Sequence, residues 1–557
     1  MQNLKKKSWP SYLPKQLDYK LGEKPLHEYL NYNAEKYPSC VPYNYYGNKI
    51  TWAMLNDYTN RLAQFLKENH IKKGDRVALY MQNCPQYIIG YFGIQKIGAI
   101  VVPLNPMYKE AELDYFINEV DIKAVISTVD LYPRVYAIKD KTPTVEFIIT
   151  TRYLDFLPEE IELPIPDELK IENQKIDSTY DFVAIMEQVS PLKEIEEIDI
   201  WNDVCLMSFT SGTTGRPKAA MLTYGNALFK AAATTNAFGF TKDDKTIIIP
   251  PLCHIGGKIL GVNIPIYSCC ESILMSRFDP EATIQAIEKY KINLLYTLPP
   301  MNVAILDYPN IEERDLSSLK INFATSFGIP VSKELAQKWR TLTNGCLLYE
   351  ATYGLSETHD ADTFMPRDNI KFGSVGIPTF ETEMRIIDLD TGEELPTGKQ
   401  GEIVIKSPGV FKGYYKRPED TYEVLKNGRL HTGDIGSFDE DGYLFLHGRV
   451  KEMIKSSGYS VFPEDVEALL DRHEAILQVA VVGVPDEKRG QSVKAFVVLR
   501  QEYKGKIMEE DIIHWAKNNM SAYKYPRYVE FRDHLPEAIS GKVLRKYLQE
   551  GEEKERL

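Results

Sequence analysis

A loop rich in hydroxyl and glycine residues is the strongest chemical signal in this sequence. Its nine residues include four hydroxyl side chains, two glycines and a terminal lysine, in the order Thr210, Ser211, Gly212, Thr213, Thr214, Gly215, Arg216, Pro217 and Lys218. Glycines let backbone N–H groups approach an anion closely, hydroxyls add donors, and the lysine supplies a positive charge. The loop predicts a polyphosphate site, although the spacing of a Walker A motif is absent. A surface loop without a ligand is the alternative.

Four more motifs follow this loop. They are Tyr353-Gly354-Leu355-Ser356-Glu357, Thr432-Gly433-Asp434, Gly448-Arg449 continuing through Lys451 and Lys455 to Gly458-Tyr459, and Ser540-Gly541-Lys542. Each alone has an ordinary explanation: a helix N-cap with a first-turn acid for Ser356-Glu357, a turn for Gly433-Asp434, and a solvated lysine for Lys542. Together, their order and spacing resemble the adenylate-forming superfamily, which contains acyl-CoA synthetases, beetle luciferases and the adenylation domains of peptide synthetases. The resemblance runs from near Lys49 onward.

This resemblance implies an enzyme with three substrates: a carboxylic acid, ATP and coenzyme A. Acid and ATP give an acyl-adenylate and pyrophosphate, and coenzyme A then takes the acyl group and releases AMP. The resemblance assigns the β- and γ-phosphates to the loop Thr210–Lys218. The other expected nucleotide contacts are Gly328, Tyr353, Gly354, Ser356, Asp434 and Arg449.

The resemblance also assigns catalysis to three residues. Lys542 bridges the substrate carboxylate and the α-phosphate, Glu357 binds a Mg²⁺ ion, and Lys455 faces the site in the second half-reaction. Mg²⁺ prefers oxygen ligands, so a carboxylate is a suitable residue type for it. A basic face on a short pair of strands is the other explanation of Lys455.

The acid is expected to bind beside a segment that gates the acyl pocket in the family. The corresponding residues here are His254, Gly256, Lys258 and Phe327. The resemblance favours an aliphatic acid of the fatty-acid type, whereas Lys258, Phe327 and the charges of Asp360 and Asp362 also fit a short or hydroxylated acid. Alternatively, Lys258 and both aspartates point to solvent, as charged residues usually do.

Two other functions stay open. A stand-alone adenylating enzyme would use a non-CoA acceptor such as a carrier protein, or oxidise its adenylate as a luciferase does. A protein of a different class would bind nucleotide or acyl ligand as a sensor without catalysis. Intact Lys218, Glu357, Asp434 and Lys542 argue against the sensor.

Composition limits the location and the partners. The chain has 557 residues, a net charge of −13 and a pI near 5.4, which disfavour broad nucleic-acid binding. Its 7 cysteines form no C-x-x-C pair, and its basic N-terminus precedes no apolar run, so we expect a cytoplasmic protein without a disulfide framework or signal peptide. The apolar window from Tyr87 to Leu104 predicts a buried helix and strand rather than a membrane span. A homo-oligomer is left open.

Alternating helices and short apolar strands dominate the first two thirds. Apolar residues from Leu55 to Leu66 recur at helical spacing, and the apolar strand Arg76–Tyr80 follows. This alternation predicts an α/β protein with mainly parallel sheets. The segment from Val145 to Ile200 is rich in Glu, Asp and Pro and suggests a surface excursion. After Phe372, short strands between Gly, Pro and Asp turns predict an antiparallel β unit.

The resemblance implies an architecture of two domains. Residues 1–447 would form an N-terminal AMP-binding domain of three subdomains, two mainly parallel α/β sheets and a small β unit. Residues 448–557 would form a small, mobile α+β domain that carries the catalytic lysine. The resemblance places the hinge near Lys451, although this lysine also fits a basic surface. It assigns the coenzyme A channel to Gly458 and Tyr459.

Overall fold

The computed structural model of the chain describes seven stretches. They are residues 8–170, 176–210, 217–326, 331–456, 459–486, 489–537 and 543–554, and the side chains of residues 455, 459, 460 and 550–554 lie outside the description. Within these stretches no helix is both long and apolar enough to cross a bilayer.

The first α/β unit is built on an eight-stranded sheet. Its strands, in spatial order, are Gly413–Tyr414, Ala219–Thr223, Val204–Phe209, Ile100–Leu104, Arg76–Tyr80, Ile122–Thr128, Phe147–Thr151 and Tyr180–Asp181. Ala219–Thr223 pairs antiparallel with both of its neighbours, Gly413–Tyr414 and Val204–Phe209, and the other neighbouring strands pair in parallel. Along Arg76–Tyr80, Val77 and Leu79 enter one core while Ala78 and Tyr80 enter another. Both faces of this sheet are therefore covered, as expected for parallel strands.

A seven-stranded sheet forms the second unit. Its strands, in spatial order, are Leu347–Glu350, Ile321–Ala324, Leu294–Thr297, Lys245–Ile248, Glu271–Leu274, Tyr43–Tyr45 and Asn48–Ile50. Only the last pair is antiparallel. Because the loops that follow parallel strands meet at one sheet edge, the segments after Glu350 and after Ile248 leave the sheet at the same edge, with two strands between them.

Two smaller antiparallel sheets complete the N-terminal part. One contains Glu383–Ile387, Gly401–Lys406, Arg429–Phe438 and Leu425–Lys426, with Leu444–Arg449 also paired to Arg429–Phe438. The other pairs Thr363–Phe364 with Ile377–Pro378.

The last sheet contains Tyr459–Val461, Ile454–Ser456, Gly490–Leu499 and Ile476–Asp486, with Tyr528–Phe531 beside Gly490–Leu499. It has apolar clusters of its own. The chain passes from one sheet to the next through the 3₁₀ turn Val450–Glu452.

Helices cover the sheets. The α-helices are Leu26–Lys36, Trp52–Glu68, Pro85–Lys96, Glu110–Glu119, Tyr132–Tyr136, Phe182–Gln188, Tyr224–Phe238, Ile255–Lys258, Ile264–Ser268, Pro280–Tyr290, Pro299–Leu306, Lys333–Leu342, Pro418–Val424, Pro463–Leu470, Glu509–Asn519 and Arg545–Lys554. A π-helix spans Ile259–Asn263, and 3₁₀ turns span Lys139–Lys141, Tyr153–Phe156, Asp167–Lys170, Ile311–Glu313, Ser356–Thr358, Val450–Glu452 and Gln501–Tyr503.

The structure confirms the α/β class, the parallel sheets and the buried helix and strand between Tyr87 and Leu104. It corrects the prediction for Val145 to Ile200. This segment adds the strands Phe147–Thr151 and Tyr180–Asp181 to the sheet, and it buries Phe156, Leu169 and Phe182. Although the composition of this segment is polar on average, a few of its apolar side chains are buried in the core.

Candidate active site

The ends of the predicted phosphate loop are held by a strand pair. Val204–Phe209 and Ala219–Thr223 run antiparallel, and the Thr210 N–H donates to the Lys218 carbonyl over 2.9 Å. The loop residues Ser211, Gly212, Thr213, Thr214 and Gly215 lie outside the described stretches, so their phosphate role stays a prediction. The two ends of the loop therefore lie next to each other, where these two strands end.

Lys218 lies in an aromatic and acidic environment. Its ammonium forms an ion pair with Asp420, and its Nζ lies 5.2 Å from the centre of the Tyr414 ring. Both partners follow the loop by about 200 residues, and sequence analysis missed them. Neither belongs to a motif with a recognisable spacing, so only the adjacent short strand Gly413–Tyr414 could have directed attention there.

The same tyrosine reaches the predicted metal ligand. Tyr414 donates its hydroxyl hydrogen to Oε1 of Glu357 over 2.7 Å. Burial raises the pKa of the Glu357 carboxyl, and the hydrogen bond from Tyr414 opposes this rise. Ser356 is the first residue of the 3₁₀ turn Ser356–Thr358, whose N-cap is Leu355, so the N-cap explanation of Ser356 is wrong.

Three predicted nucleotide residues contact one another directly. Asp434 accepts a hydrogen bond from the Tyr353 hydroxyl at Oδ2 over 2.7 Å, and Arg449 Nε lies 2.7 Å from its Oδ1. The pairing of strands Arg429–Phe438 and Leu444–Arg449 sets this contact, because Asp434 and Arg449 lie opposite each other in register. Asp434 therefore lies within a strand, and the simple-turn explanation does not hold.

The backbone of the turn that follows Glu357 is strained. His359, Asp360 and Ala361 all have positive φ angles, of 58°, 65° and 48°. Non-glycine residues rarely adopt this region, and each costs about 1–3 kcal/mol unless its surroundings impose it. A Cβ atom on Gly354 would lie 2.3 Å from the Ala361 nitrogen, so this position requires glycine. The strained turn packs directly against the predicted adenine segment.

The predicted acyl segment adjoins this turn. His254 is exposed, and its Nδ1 accepts a hydrogen bond from the Gly256 N–H over 3.3 Å at the start of helix Ile255–Lys258. A Cβ atom on Gly256 would lie 3.0 Å from Oδ2 of Asp360. The structure thus brings the acyl segment next to the residues that follow Glu357.

Two expectations of solvent exposure are wrong. Lys258 is 0% exposed, and Asp362 is 0% exposed in an ion pair of 2.6 Å with the equally buried Lys230. Lys230 also donates to the Ala361 carbonyl over 3.0 Å. This pair ties helix Tyr224–Phe238 to the strained turn. Charge alone predicted exposure, whereas the partner of Asp362 is more than a hundred residues away in sequence.

The C-terminal predictions are only partly located. Lys451 lies in the 3₁₀ turn Val450–Glu452 between two sheets. Lys455 and Tyr459 lie on the hairpin strands Ile454–Ser456 and Tyr459–Val461, and their side chains are outside the description. The remaining predicted residues outside the described stretches are Phe327, Gly328, Gly458 and Lys542.

Comparison with known proteins identifies relatives over nearly the full chain. The AMP-binding enzyme family matches residues 30–415, and the AMP-binding enzyme C-terminal domain matches residues 465–542. A long-chain-fatty-acid–CoA ligase of Bacillus subtilis strain 168 is 37% identical over 554 residues, covering 98% of this chain and 97% of that protein. A feruloyl-CoA synthase of an Amycolatopsis species is 32% identical, covering 92% and 96%.

Solved structures agree with the sequence relatives. ATP-bound MatB from Rhodopseudomonas palustris superposes with a TM-score of 0.81 at 26% identity, covering 95% of this chain and 99% of that one. A fatty acyl CoA synthetase of Mycobacterium tuberculosis gives a TM-score of 0.73 at 25% identity, covering 96% and 99%. With the geometry above, these similarities show that this chain belongs to the AMP-binding enzyme family, as an AMP-forming acid–CoA ligase of the adenylate-forming superfamily.

Proposed function

We propose that the contacts around Glu357 and Asp434 form the ATP-binding part of the active site, and that an aliphatic acid is activated beside them. The observation that carries this proposal is the set of contacts that joins Tyr353 to Asp434 and Asp434 to Arg449. Tyr353 lies four residues before Glu357 in the chain. These contacts support a common site for the adenine, the ribose and the metal ion.

The first half-reaction joins acid and nucleotide. A carboxylate oxygen of the acid attacks the α-phosphorus of ATP, the bond to the bridging oxygen breaks, and pyrophosphate leaves with the electron pair. Both reactants are anions, so positioning and positive charge dominate the catalysis. Lys218 holds the distal phosphates with the loop, and Lys542 neutralises the approaching carboxylate and α-phosphate.

The ribose is held by the carboxylate of Asp434. A carboxylate has acceptor capacity beyond the two contacts with Tyr353 and Arg449, so it can also accept from the ribose hydroxyls. The Tyr353 ring, which is largely buried, borders adenine beside Gly354.

Glu357 is the residue that would hold Mg²⁺. This ion usually binds through one or two carboxylates together with substrate phosphates, and it supplies positive charge to them. Burial raises the pKa of Glu357, because removal from bulk water disfavours the charged carboxylate. The donor type fits the ion.

The second half-reaction forms the thioester. The sulfur of coenzyme A attacks the acyl carbon, the bond from this carbon to the adenylate oxygen breaks, and AMP leaves. We infer that residues 448–557 rotate about the turn at Lys451 so that Lys455 replaces Lys542 and opens the channel at Gly458 and Tyr459. Hinges of this kind commonly lie in short turns between packed units.

We infer the chemical class of the acid from the name of a relative and from an apolar helical segment of this chain. The ligase of Bacillus subtilis is named for long-chain fatty acids, and the helical segment Ile259–Ser268 here is rich in buried apolar residues. An aliphatic chain suits such a wall. The seven cysteines are all free thiols, which favours the reducing environment of the cytoplasm.

The test measures AMP and pyrophosphate release from ATP with Mg²⁺ across acids from acetate to palmitate, with and without coenzyme A. We expect AMP turnover that requires both one class of acid and coenzyme A. The Lys542→Ala variant should lose adenylation by about 10²–10³-fold while ATP binding persists. Unchanged adenylation in this variant contradicts the mechanism. Pyrophosphate release that coenzyme A does not accelerate would favour a carrier-protein acceptor.

A further inference from the structure

Lys258 differs from the other fully buried lysines that the structure describes. Lys96 donates to three side-chain oxygens over 2.6–2.9 Å, and Lys230 donates to Asp362 and a backbone carbonyl. Lys258 is also 0% exposed, yet its Nζ has no hydrogen-bond partner among the described residues. Burying an ammonium without an acceptor is strongly unfavourable, so the hydrogen bonding of Lys258 is incomplete within the described part of the chain.

Two other buried polar side chains, Asn263 and His359, also have atoms without a hydrogen-bond partner among the described residues. Asn263 and His359 are both fully buried, and Asn263 Nδ2 lies 2.8 Å from His359 Nε2. Asn263 Oδ1 and His359 Nδ1 have no partner in the described part of the chain. The contact with Asn263 places His359 against the π-helix that directly follows Lys258. One acceptor and two donors are therefore unfilled within a single buried region.

The helix geometry supports a special role for this region. Lys258 ends the helix Ile255–Lys258, and Asn263 ends the π-helix Ile259–Asn263 that follows. The i→i+5 hydrogen bonds of a π-helix bring residues five apart closer to one face than an α-helix does. Insertions of this type are frequent at functional sites.

The region adjoins, along the chain, the residues expected to bind the acid and the metal ion. Lys258 is four residues after His254, and His359 is two residues after Glu357. Asp360 lies against Gly256, so the two segments touch.

We propose that the acid substrate carries a second oxygen-bearing group, a hydroxyl or a carboxylate, and that Lys258 donates a hydrogen bond to this group within the acyl pocket. The proposal rests on the acid-activating function proposed above and narrows its substrate class. A plain alkanoate has no acceptor along its chain and would leave the ammonium unpaired. A hydroxyl accepts from Lys258 and can also donate to Asn263 Oδ1.

The charge state agrees with a donor role. Burial lowers the pKa of Lys258 to about 8, so the amine is mostly protonated at pH 7 and offers three donor hydrogens. An acid that lacks an acceptor forfeits these bonds. Sites that hydrogen-bond a substrate group discriminate strongly against analogues without it, because their own polar atoms are then left unpaired.

The test compares pairs of acids with equal chain length. One member is the plain alkanoate, and the others carry a hydroxyl or a second carboxylate at successive carbons. Wild-type protein should show a kcat/KM at least tenfold higher for one substituted acid than for its plain partner. The Lys258→Met variant should lose this ratio, because removing the ammonium lowers kcat/KM for the substituted acid more than for its plain partner. The position and type of the favoured substituent distinguish hydroxyl from carboxylate recognition.

Thermal unfolding provides a second measurement and a matched control. Lys258→Met removes an unpaired buried charge and should raise the Tm of the free protein, whereas Lys96→Met removes a satisfied one and should lower it without changing the acid preference. The preference for a substituted acid over its plain partner is measured on the wild-type protein alone. The proposal can therefore be overturned even if Lys258→Met does not fold.

Three results separate the proposals. Turnover of plain alkanoates in preference to every substituted partner overturns the role of Lys258 and leaves the ligase function intact. A wild-type preference that Lys258→Met does not alter also overturns it. If no acid of either kind supports AMP release, the proposed function itself fails.

Discussion

Tyr414 joins two predicted site residues that are distant in sequence. Its hydroxyl donates to Glu357, and its ring lies beneath the ammonium of Lys218. A single side chain thus contacts the expected metal ligand and the expected phosphate lysine. Because the phenol donates to the charged form of Glu357, it keeps this buried carboxyl more acidic than burial alone would allow.

Replacing this tyrosine should shift the pH dependence of adenylation. Only the deprotonated carboxyl of Glu357 can bind the cation, so activity falls as pH falls through its pKa. In Tyr414→Phe the pKa should rise further, and the acidic limb of kcat/KM for ATP should move to higher pH by about one unit, the worth of one hydrogen bond to a charged group. The measurement is pyrophosphate release between pH 5 and pH 8.

Tyr415→Phe is the control for this experiment. Tyr415 is the next residue, and its hydroxyl donates to Asp121, which belongs to no predicted site. Its pH profile should match wild type. Identical profiles for both variants would show that Tyr414 does not tune Glu357.

At the scale of elements, a buried ion pair fixes the turn that follows Glu357. Lys230 lies within helix Tyr224–Phe238, and Asp362 directly follows the left-handed residues His359 to Ala361. The strain of this run requires compensation from its surroundings. The pair with Lys230 and the hydrogen bond to the Ala361 carbonyl provide it.

Breaking this pair should destabilise the fold. Asp362→Asn leaves the Lys230 ammonium buried without a counter-charge, and we expect a loss of about 3–5 kcal/mol in the free energy of unfolding. Urea denaturation would measure it. Glu271→Gln, which breaks the exposed pair with Lys245, should cost less than about 1 kcal/mol. Equal losses in the two variants would contradict the assigned role of the buried pair.

At the scale of the whole molecule, the proposed hinge is the passage between the last two sheets. Strand Leu444–Arg449 pairs in the N-terminal unit and strand Ile454–Ser456 in the C-terminal sheet, with Lys451 between them. On the C-terminal side, Arg545 forms ion pairs with Glu452 and Glu467, both at 2.6 Å. These contacts connect the turn to the segment that follows Lys542.

Stiffening the turn should separate the two half-reactions. Proline fits the φ angle of a 3₁₀ turn, so Lys451→Pro can keep the present conformation while it resists rotation. We expect the ratio of thioester formation to adenylation to change at least tenfold, measured with isolated acyl-adenylate and by pyrophosphate exchange. Lys451→Ala should leave this ratio near wild type. A proportional loss of both steps in Lys451→Pro would argue against a hinge here.

Much of the architecture was predictable because its signals are local. Helix Trp52–Glu68 and strand Arg76–Tyr80 follow from apolar periodicity within short windows. The segment from Val145 to Ile200 was misjudged because its composition is polar on average, while a few apolar positions determine burial.

The sequence by itself determined the order and spacing of the motifs, and through them the family and the identity of the reacting groups. Only the tertiary structure decided which residues surround these groups. Lys218 and Asp420 are 202 residues apart, and Tyr414 and Glu357 are 57 apart. Such contacts depend on how sheets and loops meet, and no local pattern records them. The burial of Lys258 without a partner is the same kind of fact, because desolvation is a property of the packed molecule rather than of the residue type.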